Sequence, residues 1–200
     1  MNTLVFASRN KDKAKEVTAL LQGLGVEVVT LDGFPQVGPI EEDADTLEGN
    51  ALKKAREVFR QTGIPSVADD TGLEVFYLND APGVYSSRFA GPGATYADNC
   101  IKLLDRLKGV PPRRRAARFR TVVAFAAPGN LERTAEGVCA GSIIESPRGE
   151  GGFGYDPVFL PTGSTETFAE MSTDEKNRVS HRAKALEALR PILLEYFKNR

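Results

Sequence analysis

The stretch Pro65-Ser66-Val67-Ala68-Asp69-Asp70-Thr71-Gly72-Leu73 decides how this 200-residue chain is read. Its apolar run Val67-Ala68 is strand-like and ends in two adjacent acids, after which Thr71-Gly72 favours a turn. The expected arrangement is a rigid strand end that presents two carboxylates. Like charges this close repel in a partly desolvated place and need compensation. Hard oxygen ligands with few imidazoles nearby suit Mg²⁺ as the compensating ion. Taken alone, Asp69-Asp70-Thr71-Gly72 would serve as well as a solvated turn, so the rest of the chain has to decide.

Upstream, Thr3 to Ala7 reads as a buried strand, followed by the polar turn Ser8-Arg9-Asn10-Lys11-Asp12. A helix from Lys13 to Leu21 follows, with Ala14, Val17, Leu20 and Leu21 at helical spacing. Val26 to Leu31 is a second strand, and Thr46 caps a helix whose inner face is Leu47, Ala51, Leu52, Ala55, Val58 and Phe59. Downstream, Leu73 to Leu78 extends out of the acidic turn, a Pro/Gly-rich loop covers Asn79 to Gly93, and a helix runs from Thr95 to Leu107. Two β-rich runs, Ala117 to Ala127 and Leu131 to Ile144, are joined by the hairpin turn Ala127-Pro128-Gly129-Asn130. The glycine-rich segment Glu150 to Pro157 feeds Val158-Phe159-Leu160. A last helix starts at Ser180 with Ala183, Ala185, Leu186 and Leu189 inside, and Pro191 should kink or restart it. Pro111 to Arg115 is the only plausible linker, with too little chain around it to separate independent domains. The expectation is a single α/β domain over residues 1–200, with a mixed sheet, flanking helices and two lobes around a cleft.

Composition narrows the function classes. With 41% hydrophobic and 26% charged residues and a formal charge of −1, nothing indicates a nucleic-acid or membrane partner. The apolar runs fall far short of the ~20 residues of a membrane span. The start of the chain has no basic segment or cleavage site of the signal-peptide kind. Cys100 and Cys139 lie far apart and form no metal or redox motif, so a cytoplasmic location with reduced thiols is expected. His181 is the single histidine, which excludes a multi-histidine zinc site. Ser180 beside it in sequence cannot form the nucleophile–base geometry of a serine hydrolase.

Several polar positions remain. Asn10 and Lys13 lie where a strand gives way to a helix, a junction that offers open N–H groups and a positive dipole end to phosphate. The glycine-rich P-loop string is absent. Glu41-Glu42 precede the second helix, where acids also suit the dipole without further function. Phe153, flanked by Gly152 and Gly154, is either a core plug or a stacking platform for a ring. Lys176 and Ser180-His181-Arg182 complete the set, and His181 and Arg182 at a helix start read as donors for a carbonyl or phosphate. Arg113 to Arg120 reads as a solvated loop and strand face.

Five motifs in order then carry a resemblance: Ser8-x-Asn10-x-x-Lys13-x-x-Glu16, Ala68 to Leu73, Pro82 to Arg88, Gly152 to Pro157, and Glu175-Lys176-x-x-x-Ser180-His181-Arg182. The chain resembles the inosine triphosphate pyrophosphatase family from Thr3 to about Leu194, with Thr71 where the bacterial pattern more often has Ser. The resemblance implies Mg²⁺-dependent attack of water on ITP, dITP or XTP, giving the monophosphate and pyrophosphate. Ser8, Arg9, Asn10, Lys11, Asp12 and Lys13 match the phosphate cradle; Glu41 and Asp70 match the metal ligands, Asp70 also the proton acceptor, and Thr71 a substrate contact. Phe153, Gly154, Tyr155, Asp156, Lys176, His181 and Arg182 match the base-binding side. A homodimer is implied, with the loop from Pro82 to Gly93 near its interface. Discrimination would follow from the 6-oxo acceptor of inosine and xanthine, which adenine lacks, met by donors such as His181 and Arg182. The alternatives are a related pyrophosphatase for other modified nucleotides and a nucleotide-binding protein without catalysis.

Overall fold

In the computed structural model, which describes residues 2–198, the chain alternates strands and helices. The strands are β1 (Asn2–Phe6), β2 (Val26–Thr30), β3 (Ser66–Val75), β4 (Pro82–Gly83), β5 (Ala116–Ala127), β6 (Leu131–Ile143) and β7 (Phe159–Pro161). The helices are α1 (Lys11–Leu20), α2 (Leu47–Thr62), α3 (Tyr96–Arg106), α4 (Thr173–Val179) and α5 (His181–Lys198). The strands form one sheet in the order β2-β1-β3-β5-β6-β7, with β4 also paired to β3. β1 runs parallel to β2, from Asn2 opposite Val26 to Phe6 opposite Thr30, and parallel to β3. β4 is antiparallel to β3 and β7 to β6. The sheet is therefore mixed and the class is α/β, as the alternation of periods indicates.

The segment expected to turn at Asp69-Asp70-Thr71-Gly72 is instead the middle of one strand. Pairing decides this. The first half of β3 bonds to β1, with the Ala7 N–H donating to the Val67 carbonyl, and the second half pairs Leu73 with Gly83. Gly72 marks a close backbone approach, since a Cβ there would lie 2.7 Å from the Gly83 carbonyl oxygen. The Thr-Gly pair thus serves strand packing.

Pro191 lies inside α5 without ending it. The buried residues Leu186 and Leu189 precede it and Leu193 and Phe197 follow, so packing holds both parts in one helix. Pro111 to Arg115 is no linker: Pro112–Arg114 is a 3₁₀ turn, and the buried Arg115 guanidinium donates to the carbonyls of Leu107, Val110, Ile143 and Ile144. α4 is an additional helix, opened by a capping box between Ser172 and Glu175.

Contacts gather the chain into two units. The first takes the chain up to Asp70, Thr121–Gly137 and the part from His181 onward; its core includes Leu4, Phe6, Val67, Phe125, Leu186 and Leu189. The second comprises Thr71–Arg120 and Val138–Ser180, around Leu73, Leu103, Phe119, Phe159 and Phe168. Among the described residues no helix is long and apolar enough to cross a membrane.

Candidate active site

In the first unit, the turn from β1 into α1 is closed by its own side chains. Asn10 caps α1, its Oδ1 accepting the N–H groups of Asp12 at 3.0 Å and Lys13 at 3.1 Å. Ser8 Oγ accepts the Asn10 N–H at 3.1 Å, and Arg9 donates to the carbonyls of Leu31 and Val37. The N–H groups of Asp12 and Lys13, expected to be open to phosphate, are therefore engaged within the turn. Lys11 is exposed, and the Lys13 ammonium points to Asp69 at 3.1 Å.

Asp69 and Asp70 follow each other on β3, so their side chains leave opposite faces of the strand. Asp69, 1% exposed, accepts Nε and Nη2 of Arg182 at 3.1 and 2.9 Å, and Arg182 Nη1 also donates to Glu16. Burial alone would raise the Asp69 carboxyl, but Lys13, Arg182 and Lys54 outweigh it and hold the group well below the usual carboxylate range. Burial lowers the Lys13 ammonium below its ordinary value against the pull of Asp69.

Asp70 has different partners. Lys54 Nζ lies 3.1 Å from its Oδ1 and Asn50 Nδ2 3.3 Å from its Oδ2. The same Lys54 ammonium is 2.6 Å from Glu42 Oε1. Burial pushes the Asp70 carboxyl above its ordinary value, with Lys54 and Lys13 opposing. Burial disfavours the Lys54 ammonium as well, yet Asp70 and Glu42 outweigh this and its pKa is raised. Two neighbouring carboxylates are thus driven apart: Asp69 is fixed as an anion, and Asp70 is made the better proton acceptor. Glu41, matched by resemblance to a metal ligand, is exposed, and its neighbour Glu42 is the acid that reaches the Asp70–Lys54 pair.

The second unit holds the glycine-rich loop. Asp156 Oδ2 accepts the Phe153 N–H at 2.8 Å and the Lys176 ammonium, from α4, at 2.5 Å. Gly152, at φ +67°, allows this closure, because a Cβ there would lie 2.2 Å from Asp156 Oδ2. Lys176 Nζ stands 4.7 Å from the centre of the half-buried Phe153 ring, and Tyr96 packs 6.0 Å from it. Tyr155 donates to the Ser86 carbonyl at 2.9 Å, and burial raises its hydroxyl pKa. The Cys100 thiol donates to the Gly154 carbonyl, and burial with Asp156 nearby pushes its pKa up to about 11. Phe153 is therefore a mounted ring and not a member of the second unit's hydrophobic core.

Residues 4–192 match the sequence profile of the Ham1 family. The chain belongs to the Ham1 family. It is 48% identical over 190 residues to the dITP/XTP pyrophosphatase of Desulforamulus reducens, covering 95% of this chain and 94% of that protein. It is 46% identical over 193 residues to the dITP/XTP pyrophosphatase of Geobacter sulfurreducens, covering 96% and 97%. Among solved structures, a HAM1 protein from Coxiella burnetii superimposes with a TM-score of 0.88 at 41% identity, over 98% of this chain and all of the other. A nucleoside-triphosphatase / dITP/XTP pyrophosphatase from Mycobacterium abscessus gives 0.75 at 43% identity, over 94% and 98%.

Within this Ham1 chain the first unit joins Lys13, Asp69, Asp70 and Arg182 with Glu16 of the first motif and Glu42 beside Glu41, and it adds Asn50 and Lys54, which sequence reading passed over. Asn50 and Lys54 had a signal: they occupy positions of the buried α2 stripe Leu47, Ala51, Ala55, Val58, where a polar side chain needs a partner. His181 and Arg182 open α5 and are both buried; the Arg182 fork, expected to meet a 6-oxo group, here binds Glu16 and Asp69. Gly137 of β6 lets this helix start lie close, as a Cβ there would be 2.1 Å from the His181 carbonyl oxygen. Among the described residues no three His, Cys, Asp or Glu side chains converge as a metal cluster. The donors near Asp70 are hard carboxylate oxygens, and the Lys54 ammonium already sits between Glu42 and Asp70. That set fits Mg²⁺, which binds through one or two carboxylates together with substrate phosphates.

Proposed function

We propose that this protein hydrolyses the non-canonical purine nucleoside triphosphates ITP, dITP and XTP to the monophosphate and pyrophosphate. The observation that carries the reading is the opposite tuning of Asp69 and Asp70 beside two lysines. Asp70 takes a proton from the attacking water as the anhydride bond between the α- and β-phosphates breaks and pyrophosphate leaves. Lys13 and Lys54 answer the phosphate charge, and Lys11 with the Ser8–Asp12 turn borders the phosphate path. Glu42 or Glu41 with Asp70 would hold Mg²⁺, which when bound neutralises phosphate charge and orients the polyphosphate. Thr71 follows directly on β3 as a substrate contact.

On the base side we assign stacking to Phe153, with Gly154, Tyr155, Asp156 and Lys176 shaping its surroundings. Arg182 acts first by fixing Asp69, and His181 stands beside it at the start of α5. The names of the relatives support the purine substrates, and a 6-oxo acceptor in place of an adenine amino group supplies the chemical difference to be read. A homodimer in the cytoplasm completes the reading; the exposed Phe76, Tyr77 and Tyr85 of the second unit offer apolar surface for such an interface. The test is pyrophosphate release from ITP by the parent and by Asp70→Asn. Release lowered by several orders of magnitude in the variant supports the assignment, and release within tenfold of the parent removes it.

A further inference from the structure

We infer that Asn50, with Gly49 beside it, is a positioning residue that clasps the acidic segment before α2 to the Asp70 carboxylate and so sets the turnover rate. The inference rests on the reading of Asp70 as proton acceptor. Asn50 is fully buried, and its one amide makes three bonds. Oδ1 accepts the Ala44 N–H at 3.0 Å, while Nδ2 donates to the Ala44 carbonyl at 3.4 Å and to Asp70 Oδ2 at 3.3 Å. Only a carboxamide can accept from a backbone N–H while donating to a carbonyl and a carboxylate.

These bonds are not a helix cap. Thr46 already caps α2 through the Gly49 N–H, so Asn50 ties down a segment that precedes the helix. Gly49 makes room for it: a Cβ there would lie 2.8 Å from the Ala44 Cβ. One turn further on, Lys54 repeats the pattern, bridging Glu42 to Asp70 Oδ1. Two α2 side chains four residues apart thus each hold one oxygen of Asp70 and one point of the acidic segment. The neutral clasp fixes the plane of the carboxylate, and the charged one supplies its counter-ion. Losing the neutral clasp leaves the Asp70 carboxyl present, yet no longer held in place.

The experiment compares Gly49→Ala, Asn50→Leu and Asp70→Asn with the parent. It measures kcat and KM for ITP at saturating Mg²⁺, thermal stability, and hydrogen exchange at the Ala44 amide. Gly49→Ala is the informative variant, because alanine is the better helix former and leaves both Asn50 and Asp70 chemically intact. The expected result is faster exchange at Ala44 and a kcat at least tenfold lower, with KM within threefold and the protein folded at the assay temperature. Asn50→Leu should show the same pattern, more strongly. A kcat within threefold of the parent in Gly49→Ala, or a loss that follows only the unfolded fraction, overturns the inference. Retained turnover in Asp70→Asn would instead overturn the reading of Asp70, while Ala44 exchange still reports on the clasp.

Discussion

Replacing Arg182 with Met tests the buried charge network under the site. Arg182 is 1% exposed and joins two carboxylates, Asp69 and Glu16, that are themselves buried. Met fills much of the same volume and removes the charge, leaving Glu16 without this partner and Asp69 with Lys13. Breaking one side of a buried pair typically destabilises by about 3–5 kcal/mol, since the remaining charge stays desolvated. For a chain of this size ~1 kcal/mol shifts the melting temperature by roughly 2–4 °C, so a fall of about 6–20 °C is expected at pH 7. The pH dependence has a definite sign. The folded state holds the Asp69 carboxyl below its ordinary 3.8, so its contribution is whole above about pH 4 and is lost as pH falls through the folded value. The gap between parent and variant should be widest at neutral pH and narrow in acid. Calorimetry at pH 7 and at pH 3 measures both. A fall under 2 °C at pH 7, or an equal gap at the two pH values, would refute the reasoning.

Other outcomes follow from the same geometry. Asp70→Asn should melt higher than the parent at pH 7, because burial raises the folded carboxyl above 3.8 and penalises its ionised form; below about pH 4 this gain should vanish, as thermal melts across pH would show. Phe153→Ala removes a stacking surface of about 1–3 kcal/mol that is indifferent to base identity, so kcat/KM should fall by ~5–150-fold for ITP and GTP alike. Gly152→Ala puts a Cβ against Asp156 Oδ2 at a positive φ and should raise KM for ITP at least tenfold with little change in kcat; an unchanged KM would show that the loop closure is not needed for binding.

Much of the fold was legible, because it rests on local periodicity. The α2 cap at Thr46, the bounds of α3 and the long hairpin strands stand within a residue or two of where the sequence signals put them. The error at Asp69 to Gly72 has a non-local cause: Thr-Gly reads as a turn unless β1 and β4 are known to flank it. Pro191 does not restart the last helix for a similar reason, since packing on both sides of it is a property of the folded chain. The acidic pair was visible as a pair, while the split between its members was not. That split comes from Lys13 and Arg182, 56 and 113 residues from Asp69, which hold it down, and from the burial that raises Asp70 against the pull of Lys54. Asn50 and Lys54 were passed over because a polar residue on a helix is first read as solvent-facing, whereas their place in the α2 stripe requires partners.

The most direct measurement is pyrophosphate release with Mg²⁺ from ITP, dITP, XTP, GTP, ATP and dUTP at equal concentrations, with product identity checked for each. The account predicts that ITP, dITP and XTP are cleaved to monophosphate and pyrophosphate with kcat/KM at least ~10²-fold above ATP, within the ~10⁴-fold that a mismatched polar edge can impose. Comparable rates for ATP and ITP, or release of orthophosphate in place of pyrophosphate, would contradict it.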